Sequence, residues 1–385
     1  MTKEHNTYSI LNSLAIFFIL SNAILYLDTI PILRWGFSGL RVFAVAYAFL
    51  VAFPHLRFGK FTVYVGLFYM VAGLTTILHS GSIHTWLAYT LNSLGIVLLL
   101  YLSLLQSPKH TIRILALFFD VFIYLNFFLT LLFPDGIFEG SYLLGLNRNS
   151  VGPSLLCGLI IHYYAYRMHD RSWVTFVLLG AISIATTIII ESMTSAVGCS
   201  LLTAFFFVPT KKLRKIIIIV FLTFYLVFQA FVVYLQGDLS SNKRAVFFIE
   251  EILQKDMTFT NRVYVWSDSY ELIQRSPVTG YGMQDSEWFD EQINVKSAHN
   301  IMYQVLILGG YILLFIFLFI VLKSIIRAKN QASELTLFAL FSVCTLFFMM
   351  TMEAYNFVII FLILALTYYS FEFSKAIDID TDNEA

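Results

Sequence analysis

Twelve stretches of this chain, each 16 to 25 residues long, are nearly free of charge: 9–27, 39–54, 61–78, 86–105, 113–133, 150–166, 173–190, 194–209, 215–235, 298–322, 335–352 and 355–373. A helix needs ~20 mostly apolar residues to cross a bilayer. In hydrocarbon every backbone N–H and C=O must be satisfied within the protein, which a helix does by itself. The composition agrees: 59% of residues are hydrophobic, 12% are charged and the mean hydropathy is +0.78, where soluble domains carry about 25% charged residues. We therefore expect an all-α integral membrane protein of about 12 transmembrane helices, a single polytopic domain over 1–385. The formal net charge of zero excludes a nucleic-acid binder. The first run is too long for a signal-peptide core and lacks a small-residue cleavage site, so it reads as a retained span.

Basic residues orient the spans, because lysine and arginine concentrate on the cytoplasmic side. With the N-terminus inside, the inner segments carry 15 of the 24 basic residues, and the short outer segments carry only Arg34, Arg41 and Arg148. This alternation predicts cytoplasmic termini, an external segment at 236–297 and a flexible cytoplasmic tail at 374–385. Asp378-Ile379-Asp380 in that tail resembles a metal-nucleotide motif, but it reads as chance at a frayed terminus. Cys157, Cys199 and Cys344 each sit in an apolar run and read as small buried hydrophobes.

The polar segment 236–297 is far longer than an ordinary connection. It contains TNRVYVW, then the turn SPVTGYG, and it leads into SAHN where the next apolar run opens. Gly280-Tyr281-Gly282 is a turn here, since it lacks the strand and helix that a phosphate loop requires.

Arginine is the first candidate for chemistry, because its planar fork of donors matches phosphate oxygens. The outer side offers Arg148 (between Asn147 and Asn149), Arg244, Arg262 and Arg275. Each has a plain alternative as a headgroup anchor. Trp266 follows Arg262 by one helical turn, in a segment patterned as an amphipathic interfacial helix. His299 sits where the polar segment meets a span, with Asn300 beside it and Tyr303 one turn below. Its ordinary pKa near neutrality suits proton transfer. The other seven histidines read as interfacial or buried. Asp285, Glu287, Asp290 and Glu291 read as a solvated cluster, while Glu191 and Glu353 fall in short outer turns. Asp120 lies within a span, where an acid is costly; its plain reading is a buried acid bonded to Asn126 or to a tyrosine. No histidine or second acid stands at metal-ligand spacing, so no metal site and no cofactor are expected.

Arg262…Trp266, SPVTGYG at 276–282, His299-Asn300 and the pair Gly309-Gly310 occur in that order, preceded by NRN at 147–149. This combination resembles the O-antigen ligase and O-antigen polymerase superfamily of bacterial envelope enzymes, by motif over about 145–310 and by topology over the whole chain. The resemblance implies a GT-C-like membrane glycosyltransferase of the bacterial cytoplasmic membrane, metal-independent and without a nucleotide sugar. Its partner would be an undecaprenyl-diphosphate-linked oligosaccharide in the lipid bilayer, alongside other polysaccharide-assembly proteins. By the same resemblance, Arg262 and Arg148 would hold the donor diphosphate, with Asn147 and Trp266 lining that site. His299 would orient the diphosphate or take the acceptor's proton, and Asn300 and Tyr303 would position it. With no ligase-specific feature, repeat-unit polymerase is the first expectation and transfer to lipid A core the second. A lipid-linked sugar flippase is the non-enzymatic alternative. It calls for ionisable groups near the bilayer midplane, where this chain offers mainly Asp120.

Overall fold

The computed structural model describes residues 3–24, 31–53, 58–136, 141–142, 146–168, 171–234, 262–329, 333–352 and 356–375. Helices account for nearly all of it: α1 (Lys3–Ile24), α2 (Pro31–Ala52), α3 (Lys60–Leu78), α4 (Ile83–Gln106), α5 (Pro108–Leu132), α6 (Arg148–Arg167), α7 (Trp173–Ile189), α8 (Met193–Phe206) and α9 (Lys211–Phe228) come first. After them follow α10 (Arg262–Arg275), α11 (Ser286–Ile293), α12 (Ile301–Lys329), α13 (Glu334–Met349) and α14 (Phe357–Tyr368). Residues 141–142 and 146–147 pair as a two-residue antiparallel ladder ahead of α6. Each of the twelve apolar runs coincides with a helix. Six of these helices are long and apolar enough to cross a membrane, and others are shorter apolar helices of 10–17 residues. Within the polar segment, 262–275 folds as α10, the helix that its amphipathic pattern predicts, and 286–293 adds α11, which the sequence reading did not anticipate, while 236–261 lies outside the described residues.

The outward surfaces carry the apolar side chains. On α9, Ile216, Ile219, Val220 and Val227 are exposed, the helical spacing of a lipid-facing stripe. Patches of that extent are rare on soluble monomers. Inside, α13 and α14 are buried along almost their whole lengths. Aromatic stacking ties α13 to its neighbours: Tyr163 of α6 lies on Phe338 at 3.6 Å, and Phe205 of α8 lies on Phe341 at 4.0 Å. The end of the bundle opposite α10 and α11 is latched by charge. Arg167 pairs with Glu334, Arg327 pairs with Glu372, and Arg214 lies 3.9 Å from Glu334 while donating to the carbonyl of Val208. That is also the end to which the basic-residue count assigns the cytoplasm.

Asp120 departs from expectation. It bonds neither to Asn126 nor to a tyrosine but to Nδ1 of His162 at 2.8 Å, with Arg171 Nε 3.3 Å from its other oxygen. His162 is fully buried, so the acid is held in a three-residue polar cluster with His162 and Arg171.

The longest helix, α12, is interrupted. Gly309 (φ −152, ψ 20) and Gly310 (φ 62, ψ −161) leave helical geometry, and the second of these conformations is open essentially only to glycine. A break about 12 Å from the helix start, at 1.5 Å per residue, would strand backbone groups in an apolar layer. The SPVTGYG turn supplies their partners. Tyr281 N–H donates to Ile307 O at 2.8 Å and Gly282 N–H to Leu308 O at 2.9 Å, while Tyr311 N–H donates to Pro277 O at 2.8 Å. The turn therefore enters the bundle rather than lying over it. It is pinned on its far side, where Met283 N–H donates to Thr76 Oγ1 at 2.8 Å and Ser82 N–H donates to Met283 O at 2.7 Å.

A side chain at Gly310 would start 2.2 Å from the carbonyl of Val278, and one at Gly280 would start 2.5 Å from the carbonyl of Ile307. Gly310→Ala and Gly280→Ala should each cost about 2–5 kcal/mol, combining backbone strain with overpacking. The effect should be read as lost monodisperse protein and a lower melting temperature in detergent. Gly39→Ala, with nothing within 4 Å of the added methyl, should be silent. Wild-type melting of Gly310→Ala would contradict this account of the break.

Candidate functional site at the loop end

Arg262 opens α10, and four residues later Trp266 is fully buried. The amphipathic spacing of RVYVWSDSYELI explains this packing: Val265, Trp266, Ser269, Leu272 and Ile273 form the buried face. Arg262 is half-buried at the rim of that face, and its Nε donates to the carbonyl of Met352. That bond fixes the plane of the guanidinium and uses one of its five N–H donors.

Residues 350–352, between α13 and α14, form a strap that reaches both halves of the site. The carbonyl of Met352 receives Arg262, the carbonyl of Thr351 receives Nδ2 of Asn300 at 3.2 Å, and the carbonyl of Met350 receives the N–H of Ile301 at 3.1 Å. The Trp266 indole N–H also points at the carbonyl of His299, 3.5 Å away. The fold thus brings Arg262 and His299, 37 positions apart in the sequence, to one place.

His299 adopts a left-handed backbone conformation (φ 47), uncommon for any residue but glycine and strained unless its surroundings impose it. Asn300 imposes it. Its Oδ1 accepts from the N–H groups of Met302 (3.0 Å) and Tyr303 (3.3 Å), so Asn300 caps α12. The same amide forms a reciprocal pair with Gln229, at 3.1 and 3.2 Å. Gln229 opens a π-helical stretch, Gln229–Tyr234, that continues α9. Such local widening recurs at functional sites. Within this stretch the Val233 carbonyl accepts the Tyr303 hydroxyl at 3.1 Å.

These contacts revise three of the sequence expectations. Trp266, Asn300 and Tyr303 are each fully buried and spend their polar atoms on the protein. They hold the site in place and offer no surface on which a sugar could stack. His299, in contrast, is half-buried. The backbone of Asn147 and Arg148 closes the small ladder and opens α6, whereas their side chains, like Arg244 and Glu353, lie outside the described residues. Among the described residues, no three His, Cys, Asp or Glu side chains gather as metal ligands.

Two components escaped sequence reasoning. Gln229 left a usable signal, as a lone amide in the apolar run LVFQAFVVY, where burying it without a partner would be costly. The strap 350–352 acts through its carbonyls and so left none.

Residues 178–318 match the family model described as O-antigen ligase. No curated protein and no solved structure matches the chain. The matched stretch runs from α7 into α12 and contains Gln229, Arg262, Trp266, His299, Asn300 and the bonded turn and helix break. The match supports the O-antigen ligase and polymerase superfamily for this segment, within a chain whose long apolar helices are those of a multi-pass membrane protein.

Proposed function

We propose that this protein is a glycosyltransferase that joins lipid-diphosphate-linked oligosaccharide repeats into a longer glycan at the outer face of the bacterial cytoplasmic membrane. The observation that carries the reading is the convergence of Arg262 and of Asn300, the neighbour of His299, on the strap 350–352, at the end of the bundle opposite the basic latches. In the proposed step an acceptor hydroxyl oxygen bonds to the anomeric carbon of the donor. The bond from that carbon to the diphosphate breaks, and its electron pair leaves on the diphosphate. The hydroxyl proton passes to His299, and Arg262 stabilises the charge growing on the leaving group. A fixed guanidinium does here what a divalent ion does in other phosphate-dependent transfers. Arg148, whose backbone opens a helix at the same end, is assigned to the same diphosphate. Repeat-unit polymerisation is preferred over transfer to lipid A core, because the sequence carries no ligase-specific feature.

Arg262→Ala should lower kcat/KM by 10²-fold or more, the loss of about 3 kcal/mol of transition-state stabilisation. Arg262→Lys should recover little of it, since an ammonium lacks the planar fork. The assay is purified protein in bilayer nanodiscs with a lipid-linked repeat. A ladder formed from that substrate alone supports the polymerase, a need for a separate acceptor lipid makes the protein a ligase, and translocation without transfer would refute the enzyme reading. The same reaction should run undiminished in chelator; a requirement for magnesium or manganese would remove the arginine mechanism.

Gln229→Leu tests the positioning of His299. It leaves the Asn300 amide short of its partner, at a cost of about 1–3 kcal/mol. It should lower kcat at least tenfold while KM for the lipid-linked repeat changes less than threefold. A fall in folded yield alone, with normal kcat per folded molecule, would limit Gln229 to a stability role.

A further inference from the structure

A cavity of about 710 Å³ lies at the loop end between α4 and α12, walled by residues 283–286, 296–297 and 356–358. Its volume is within the ~300–1,000 Å³ typical of small-molecule sites. On α4 the lining residues His84, Ala88 and Asn92 recur every four positions, which at 1.5 Å per residue carries the cavity about 12 Å down the helix. Its deep end is mixed in character, with the Asn92 amide beside Leu308 and Phe357.

None of Arg262, Trp266 and His299 lines this cavity, yet Ser297 and Gln304 do. Ser297 is two residues before His299, and Gln304 lies in the first turn of α12. Gln304 also accepts the N–H of Ala298 at 3.0 Å, which ties the cavity wall to the segment carrying His299. The start of α12 thus bonds to the strap that also receives Arg262, and it contributes to the wall of this cavity.

The lining selects among ligand classes. An acyl chain would press the Asn92 amide, the Gln284 Oε1 and the Gln304 Nε2 against hydrocarbon, a costly arrangement. A diphosphate would want arginines, and no arginine lines the cavity; Lys296 there is accompanied by Asp285. Amides that both donate and accept, with Tyr89 and Phe289 beside them, suit a neutral ligand rich in hydroxyl groups and with apolar faces.

We propose that this cavity binds the acceptor oligosaccharide and presents its terminal hydroxyl to His299, from a place separate from the site that grips the diphosphate. This rests on the transferase reading above. The donor sugar next to the diphosphate must stay beside Arg262, so the second glycan needs its own room, and the cavity lined by Lys296 and Ser297 provides it.

The test uses the full chain in nanodiscs with saturating lipid-linked repeat, plus the same repeat as a free oligosaccharide lacking lipid and diphosphate. The free oligosaccharide should be extended by the wild type. Asn92→Leu and Ala88→Phe, which remove a polar contact and fill the cavity, should each raise its half-saturating concentration at least tenfold. Saturation-transfer NMR should show the free oligosaccharide bound to Arg262→Ala as to wild type, and lost from Ala88→Phe. If Asn92→Leu fails to fold, Ala88→Phe and His84→Ala, at less buried positions, carry the comparison. Unchanged half-saturation in folded cavity variants, with lipid-linked repeat still turned over, overturns the acceptor site and leaves the transferase standing. No turnover of lipid-linked repeat by the wild type overturns both.

Discussion

The interruption of α12 at Gly309-Gly310 and the bonding of the 276–282 turn to it hold the functional end of this protein together. A helix that breaks in an apolar layer must find new partners for its backbone groups or lose several kcal/mol. Here the partners come from another segment, 25 to 35 residues earlier in the chain. The polar segment is therefore anchored into the bundle by backbone hydrogen bonds, with no dependence on the identity of most of its side chains. Once the turn is seated, α10 before it and α11 after it have little freedom. Arg262 is delivered to the strap by one, and the cavity wall at 283–286 is delivered by the other.

Charge is divided between the two ends of the bundle according to what each must do. At one end the arginines are paired: Arg167 and Arg214 share Glu334, and Arg327 has Glu372 and the face of Tyr368. Those pairs tie together helices distant in sequence and leave the cations committed. At the other end Arg262 donates to the carbonyl of Met352, which fixes the plane of its guanidinium at the strap.

The helical class and nearly every long element were legible, because runs of apolar residues bounded by basic clusters leave little choice in a bilayer. Arg262 and His299 were legible as candidates, since a cation and an imidazole at the edge of lipid are expensive without a purpose. The roles of their neighbours were not. Asn300 and Trp266 read equally well as ligand contacts or as braces, and only burial decides: both are fully enclosed. The turn was recognised as a turn, but nothing in SPVTGYG states that it will bond to a helix break about thirty residues on. Asp120 was singled out correctly as a costly group, and its partners His162 and Arg171 are 42 and 51 positions away, beyond the reach of any local pattern. Contacts made through backbone carbonyls, such as the strap 350–352, are independent of residue identity and so leave no trace in sequence.

The first turn of α12 joins these threads. Its cap, Asn300, is held by Gln229 on one side and by Thr351 on another, and the residue before it is forced into a left-handed conformation. Catalysis by positioning gains most when the reacting groups are fixed before substrate arrives, because the ordering entropy is then already spent. A histidine on an unstrained, mobile loop could reach the same place only some of the time. A histidine locked at a capped helix start, with the Trp266 indole N–H at its carbonyl and a cavity lined by Lys296 and Ser297 just before it, is held there continuously. The strain stored at His299 is thus the local cost of a rigid junction between two binding regions, and the capping network around Asn300 is what sustains it.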